Sequence, residues 1–383
     1  MAALQTLLSP QFLTKVISRV AGSSDWLTAL FGVQSGGKNE MNMGHGRQGA
    51  YHIYNHVRKV AAGRAPATAA GRRAANPMGR VDFTYPRMHD SVSLSAEVLH
   101  NLSRIDDPAV RDNMGADMIR RQTDTLGELA SNWRKAMLVG TLRDDLYIGF
   151  DGDDIFFDWE STAGVLPVIR QEARMPAGNK GQLNMLGAGN IIDASWLVTS
   201  TDIPKHIGLL NAAFQQLNGG HLDTIICGTK VWNAVINNEH VAAIHGSAHA
   251  PFKLLERSEL DPEIAKTMKN VYRAVLNVYP DVTWYITDEG LEIGKPGSES
   301  FKKIVEEDEA LFIGHDPADG TVVCYEGSEP IAEYDGGPET LKTGMASWSV
   351  KRSNPTSTDL FVLDNALTIN HIPDSKAYGT VIF

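Results

Sequence analysis

Residues 57–87 read VRKVAAGRAPATAAGRRAANPMGRVDFTYPR. Arg58, Lys59, Arg64, Arg72, Arg73, Arg80 and Arg87 face a single acid, Asp82, so the stretch carries a net charge of +6. The whole chain carries −11, which leaves −17 on the remainder. The middle of the stretch is alanine, glycine and proline. Such side chains bury too little apolar surface to offset the entropy of ordering them. The flanks differ. Residues 51–60 and 80–96 alternate as strands do. Together they predict a long hairpin with a basic, Gly/Pro-rich tip. A lone two-stranded hairpin is marginal in water, so this one is expected to lie against another surface.

Upstream, SPQFLTKVISRVAG (residues 9–22) predicts a short amphipathic helix. Ser9 is its N-cap, Pro10 its first residue, Gly22 its stop, and Phe12, Val16, Ile17 and Val20 form its apolar face. Residues 34–51 have no apolar period and many glycines, and read as an extended arm or loop. Downstream, Asp107 and Pro108 open the longest helical pattern. Val110, Met114, Met118, Leu126, Leu129, Trp133 and Met137 recur at three- and four-residue steps, and Gly140 is a candidate stop. Such a helix would be roughly 50 Å long. Gly115 and Gly127 would each cost it about 1 kcal/mol relative to alanine, so packing must hold it straight.

Residues 144–162 predict two strands about a turn at Asp151-Gly152. Residues 202–217 predict a helix capped by Thr201 or Asp202 and ended by Gly219-Gly220. HLDTIICG (221–228) reads as a buried strand. A single helix is expected from Thr229 through about residue 244. Two strand-rich stretches follow, 271–287 and 310–327. These parts make an α/β unit of ordinary domain size, and the tail from Met345 is all strand and turn.

A length of 383 residues, 43% of them hydrophobic and 21% charged, is globular composition. A body this acidic excludes general nucleic-acid binding over its whole surface. Cys227 and Cys324 form no metal-binding or redox spacing and read as buried thiols. No transmembrane run is present. The N-terminus lacks a basic n-region and is interrupted by Lys15 and Arg19, so no signal peptide is expected. That combination implies a product made in the cytoplasm, which stays there or leaves as part of something larger.

Several clusters could suggest catalysis. His240, His245 and His249 lie close in sequence, but His240 and His245 are five apart, about 140° around a helix, and Gly246 interrupts them. Asp151, Asp153, Asp154 and Asp158 lack calcium-loop spacing and read as a hairpin turn. KKIVEEDEA (302–310) reads as a solvated face. No dinucleotide loop, phosphate loop or nucleophile elbow occurs. No catalytic residue, metal site or cofactor is expected, and the chain is not read as an enzyme. The basic segment has three readings. It is a surface loop, a nucleic-acid arm, or an arm lying on the acidic surface of another copy. The tip lacks the aromatic side chains that stack on single strands, and charge complementarity favours the third.

The order of parts resembles the major capsid proteins of tailed bacteriophages, the HK97-like fold, in particular the phage lambda type. The resemblance rests on RKVAAGRAPATAAG followed by VDFTYPRMHDSVSLSAEVLHNL, on RQTDTLGELASNWRKAMLVGTL, on IICGTKVWNAVINNEHV and on SNPTSTDLFVLDNALTI. It implies an α+β fold with five parts. These are an N-terminal arm (1–48), an extended β-hairpin loop (49–100) and a peripheral domain with a spine helix (101–195). An α/β axial domain (196–330) and returning strands (331–383) complete it, with a loop near 351–359 around Asn354 and Pro355. It further implies hexamers and pentamers closing an icosahedral shell around a double-stranded DNA genome. Scaffolding protein, maturation protease and portal would be partners, and a decoration protein a further one. The location would be the virion, with assembly in the host cytoplasm and no membrane partner. The seven basic residues above, with Asn354 and Pro355, would then lie at subunit interfaces. An encapsulin-like compartment shell would share the fold. An enzyme with a long basic lid loop would be the alternative of another class, and a DNA-binding protein a third.

Overall fold

The structure, a computed structural model, describes residues 13–17, 20, 25–42, 48–53, 79–95, 108–169, 174–243, 252–254, 271–332, 339–353 and 356–383. Its axis is the helix Pro108–Arg143, 36 residues and about 54 Å long. Pro108 opens it, as the sequence predicts. Leu126 and Met137 are buried, whereas Leu129 is 41% exposed and falls off the apolar stripe. The side chains of Val110 and Met114 lie outside the described residues.

Gly140 does not end this helix. The chain continues to Arg143 and stops at Asp144, which adopts the left-handed conformation (φ 61°). The Asp145 N–H donates to the Gly140 carbonyl at 2.8 Å, and the Asp144 N–H to that of Thr141 at 3.4 Å. This is the reciprocal pattern that closes many helices, with aspartate where glycine is usual. The Asp144 carboxylate accepts from the Met175 N–H at 3.0 Å, which helps hold the unusual conformation. Gly140 has another role: a Cβ there would lie 2.7 Å from the Leu146 side chain.

A five-stranded sheet lies on the helix. Its centre is the 15-residue strand Thr356–Asn370. The first half pairs antiparallel on both sides, with Met345–Ser353 and with Arg87–Ser95. The second half pairs with Val322–Glu326, which in turn carries Glu40–Asn42 as a short parallel edge strand. The predicted hairpin is present at its base, where Gln48–Ile53 pairs antiparallel with Gly79–Thr84, from Gln48↔Thr84 to Ile53↔Gly79. Tyr51, Val81 and Phe83 on this base are buried in the main core, so the surface beneath it is the chain's own body.

A seven-stranded sheet follows the order 252–254, 272–276, 279–286, 224–227, 309–313, 376–380, 180–181. Thr224–Cys227 is buried at every position because both faces of this sheet are covered. Ile225, Phe312 and Trp284 face the helices Ile203–Leu217 and Thr229–Ile236, and Ile226, Leu311 and Tyr285 face the core beside the long helix. Each such side chain contributes roughly 1.5–3 kcal/mol on burial. Asp202 caps the first of these helices, accepting from the Lys205 N–H at 3.0 Å. The helix expected from Thr229 to about residue 244 is two helices, Thr229–Ile236 and Glu239–Ala243. Asn238 breaks it. Its buried amide donates to the Thr199 and Thr201 carbonyls, and its oxygen accepts from the His240 and Val241 N–H groups.

The N-terminal segment contributes a smaller core. Residues 13–17 are helical, and Leu13 and Ile17 pack with Met88, Leu94, Leu126 and Leu360. Leu13 is buried at the start of this segment, and Phe12 lies outside the described residues. Next comes the helix Trp26–Phe31, absent from the sequence reading. Asp25 caps it at one end and Gly32, left-handed at φ 66°, at the other.

Candidate subunit interface

Two helical elements and three strand segments meet around an open cleft of about 1160 Å³. The long helix supplies one wall through Leu129, Asn132 and Trp133. The hairpin Tyr147–Asp151/Asp154–Asp158 supplies another through Asp153, Asp154 and Phe157. The hairpin Gly290–Ile293/Ser300–Lys303 closes the third side with Glu292, Glu299 and Phe301, and the strand Arg87–Ser95 enters with Arg87, His89 and Asp90. The turn at Gly152 (φ 63°) places the two aspartates at the rim, as the hairpin reading of that acidic run anticipates.

The floor is aromatic. Trp133 lies on Phe157 with ring centroids 4.0 Å apart. Trp26 stacks on Tyr285 at 5.5 Å and donates from Nε1 to Glu289 at 2.9 Å. At the edge, Phe301 is 59% exposed.

Both cations lining the cleft are engaged. Lys135 Nζ sits 2.6 Å from Asp25 Oδ1 and 3.0 Å from Glu289 Oε2. Burial would lower its pKa, but these two carboxylates outweigh that and hold the ammonium above its ordinary range. Arg87 Nε lies 3.0 Å from Glu329. Asp90, Asp153, Asp154, Glu292 and Glu299 are exposed, and none is paired with a cation among the described residues. The cleft is therefore an anionic trough with an apolar floor, suited to an extended cationic segment whose aliphatic stems can lie on aromatic rings.

Behind this wall lies a second cluster. Arg134, fully buried, donates from Nε and Nη2 to Asp364 at 2.7 and 2.9 Å, from Nη1 to Glu40 at 2.5 Å and from Nη2 to Glu326 at 2.7 Å. It ties the long helix to the central strand, its neighbour and the edge strand at once. The fork geometry of guanidinium makes this possible, since lysine has no planar pair of donors. Burial would lower its pKa, but the Asp364 carboxylate leads the groups that raise it well above its ordinary value.

Of the basic residues singled out in the sequence, two are described: Arg80 on the hairpin base and Arg87 on the strand that follows it. Arg80 is exposed and bridges Asp82 at 3.0 Å, while Arg87 lines the cleft. Arg58, Lys59, Arg64, Arg72, Arg73, Asn354 and Pro355 lie outside the described residues. The strands flanking the last two pair down to Ser353↔Thr356. His240 Nε2 bonds the Ser200 carbonyl at 3.1 Å, and His245 and His249 lie outside the described residues. Among the described residues no group of three or more His, Cys, Asp or Glu side chains could hold a metal ion, and no helix is long and apolar enough to cross a membrane.

The sequence reading missed the Arg134 cluster and the cleft. A signal was there: Arg134 sits within WRKAML on the apolar stripe, and Asp364 interrupts the strand run LFVLDNAL. Opposite charges at positions that must be buried are a reason to pair them.

No protein-family model matches this chain, and no curated protein matches it. Solved structures do. A phage-related protein from Bordetella bronchiseptica RB50 is 10% identical, with 96% of each chain covered and a TM-score of 0.50. A protein described as a prophage capsid protein of Escherichia coli CFT073 is 13% identical over 79% of each chain, with a TM-score of 0.47. The mature capsid protein of bacteriophage PhiM1 is 13% identical, covering 89% of this chain and 85% of its own, with a TM-score of 0.42. The first of these likenesses spans nearly all of both chains: the two share a fold, and its mixture of helices and sheets is the α+β class expected from the sequence.

Proposed function

We propose that this chain is the major capsid protein of a tailed bacteriophage. Copies assemble into hexamers and pentamers that close an icosahedral head around double-stranded DNA. Its work is structural rather than catalytic. The observation that carries this reading is a separation of charge within one chain. Residues 54–78 hold five basic side chains and no acid, while the body presents an acidic, aromatic-floored cleft. The hairpin base Gln48–Ile53/Gly79–Thr84, which brackets that segment in sequence, is anchored in the core. In a shell, the basic segment of one subunit rests in the cleft of the next. Complementary charge then sets register, and many weak contacts add up because each neighbour raises the effective concentration of the next. Scaffolding protein, maturation protease, portal and a decoration protein are the further partners of this reading, and the virion is its location.

The test is a charge swap. Reversing Arg72 and Arg73 to glutamate is expected to block shell formation while leaving the subunit soluble. Glu292→Lys with Glu299→Lys is expected to do the same. Mixing the two variants restores mixed assemblies in which each supplies what the other lacks. Normal shells from either variant alone, in electron micrographs, would refute the reading.

A further inference from the structure

We propose that Glu40 and Glu326 form a proton-operated latch. It holds the edge strand Glu40–Asn42 on the central sheet while the pair shares one proton, and lets the strand go when both are ionised. The inference does not depend on the shell reading, because it concerns contacts within one subunit.

The strand is short, three residues long, lies at the edge of its sheet and leaves Met41 48% exposed. Among the described residues its backbone pairs in parallel with one neighbour, Glu40↔Cys324 through Asn42↔Glu326. Beside this pairing and the hydrogen bonds of Asn39 before it, the Glu40 carboxylate supplies a charged tie. One oxygen accepts from Arg134 Nη1 at 2.5 Å, and the other accepts from the Gly36 N–H at 2.8 Å. Glu40 thus joins the preceding turn, its own strand and the long helix.

Three carboxylates converge on one guanidinium. Asp364 on the long strand is fully buried and takes two of the donors. With Glu40 and Glu326 both ionised, the cluster would hold three negative charges against one positive in a poorly solvated site. A proton shared between them removes one unit of that repulsion and supplies a hydrogen bond. Burial, then the hydrogen bond with Glu40, pushes Glu326 up to about 8. Burial would raise Glu40 too, but its hydrogen bond with Glu326 and the Arg134 charge outweigh that and leave it below its ordinary value. The remaining titratable groups that face the pair are Cys324 on the neighbouring strand and Tyr85 after the hairpin, both held neutral by burial. On the last side Gly344 abuts the Glu326 carboxyl, where a Cβ would lie 2.3 Å from its atoms.

The sign follows. Glu326 has a raised pKa in the fold, so its contribution is greatest below its ordinary 4.5 and is lost as pH rises toward about 8. Glu40 has a lowered one, so its contribution is present above 4.5 and is lost as pH falls. The strand is therefore held best when the pair carries one proton. Alkaline release frees residues 40–42, which are joined through 43–47 to the base of the basic hairpin.

Amide hydrogen exchange of peptides covering residues 36–42, corrected for the intrinsic pH dependence, tests this on the intact protein. Between about pH 5 and pH 8, wild-type protection is expected to fall by up to about tenfold per pH unit, and to level off above that. A peptide over 26–31 should stay protected. Glu326→Gln can still donate to Glu40 but cannot ionise, so its protection should stay flat over the same range. Flat protection in the wild type would overturn the latch even if the variant failed to fold. An unchanged fall in Glu326→Gln would overturn it equally.

Discussion

Val20 and Gly127 touch. A methyl group on Gly127 would lie 2.8 Å from Val20 Cβ and 2.9 Å from its Cγ1. The glycine in the middle of the long helix is thereby explained: it lets the N-terminal segment cross at close range. Alanine would gain about 1 kcal/mol of helix propensity. Against this stands overpacking, which costs typically about 1–3 kcal/mol when neither neighbour can rotate away. Gly127→Ala is expected to lower stability by about 1 kcal/mol, read as an earlier urea midpoint at unchanged slope. A later midpoint would mean the two segments do not cross there.

Arg134 is the point where the helix, the central strand and the edge strand are joined. Arg134→Met leaves Asp364 buried with its charge unpaired, a change that costs about 3–5 kcal/mol in comparable buried pairs. Arg134→Lys keeps the charge but cannot fork, and should fall between the two. Urea midpoints of the three proteins check the order. A methionine variant as stable as the wild type would remove the cluster from any structural role.

Lys376 is buried and donates to the Thr141 carbonyl. Burial lowers its pKa to about 8 from an ordinary 10.5, with Asp144 and Asp145 opposing that and Lys180 adding to it. Between those values the unfolded chain binds the proton and the folded one does not, so stability rises with pH across that window. Below about pH 8 the full penalty applies, on the order of 3 kcal/mol before relaxation. Lys376→Met should therefore stabilise the protein at neutral pH, with the advantage fading as pH approaches 10.5. Stability curves for both proteins at several pH values decide it. A methionine variant less stable at neutral pH would contradict the account.

Much of this architecture was legible because its signals are local. Pro108 marks the start of the long helix, the alternation around residues 80–96 marks the strands after the basic tip, and the unbroken run IIC after Thr224 marks a strand covered on both faces. Elements set by single side chains were not. Asn238 splits a helix by bonding two carbonyls some forty residues away, and no period reports that. The six-residue helix Trp26–Phe31 is too short for periodicity, although Asp25 and Gly32 are its cap residues. The acidic cleft escaped for a further reason. Asp90, Asp153, Asp154, Glu292 and Glu299 come from three strand segments far apart in sequence, and only the packing of hairpins against the long helix brings them to one rim.

The state of assembly of the purified wild-type protein tests the central claim most directly. Sedimentation and electron micrographs of the same sample, at low salt where charge complementarity is strongest, are predicted to show ring-shaped capsomers or closed shells. A uniform population of monomers that stays unassembled as concentration rises would contradict it.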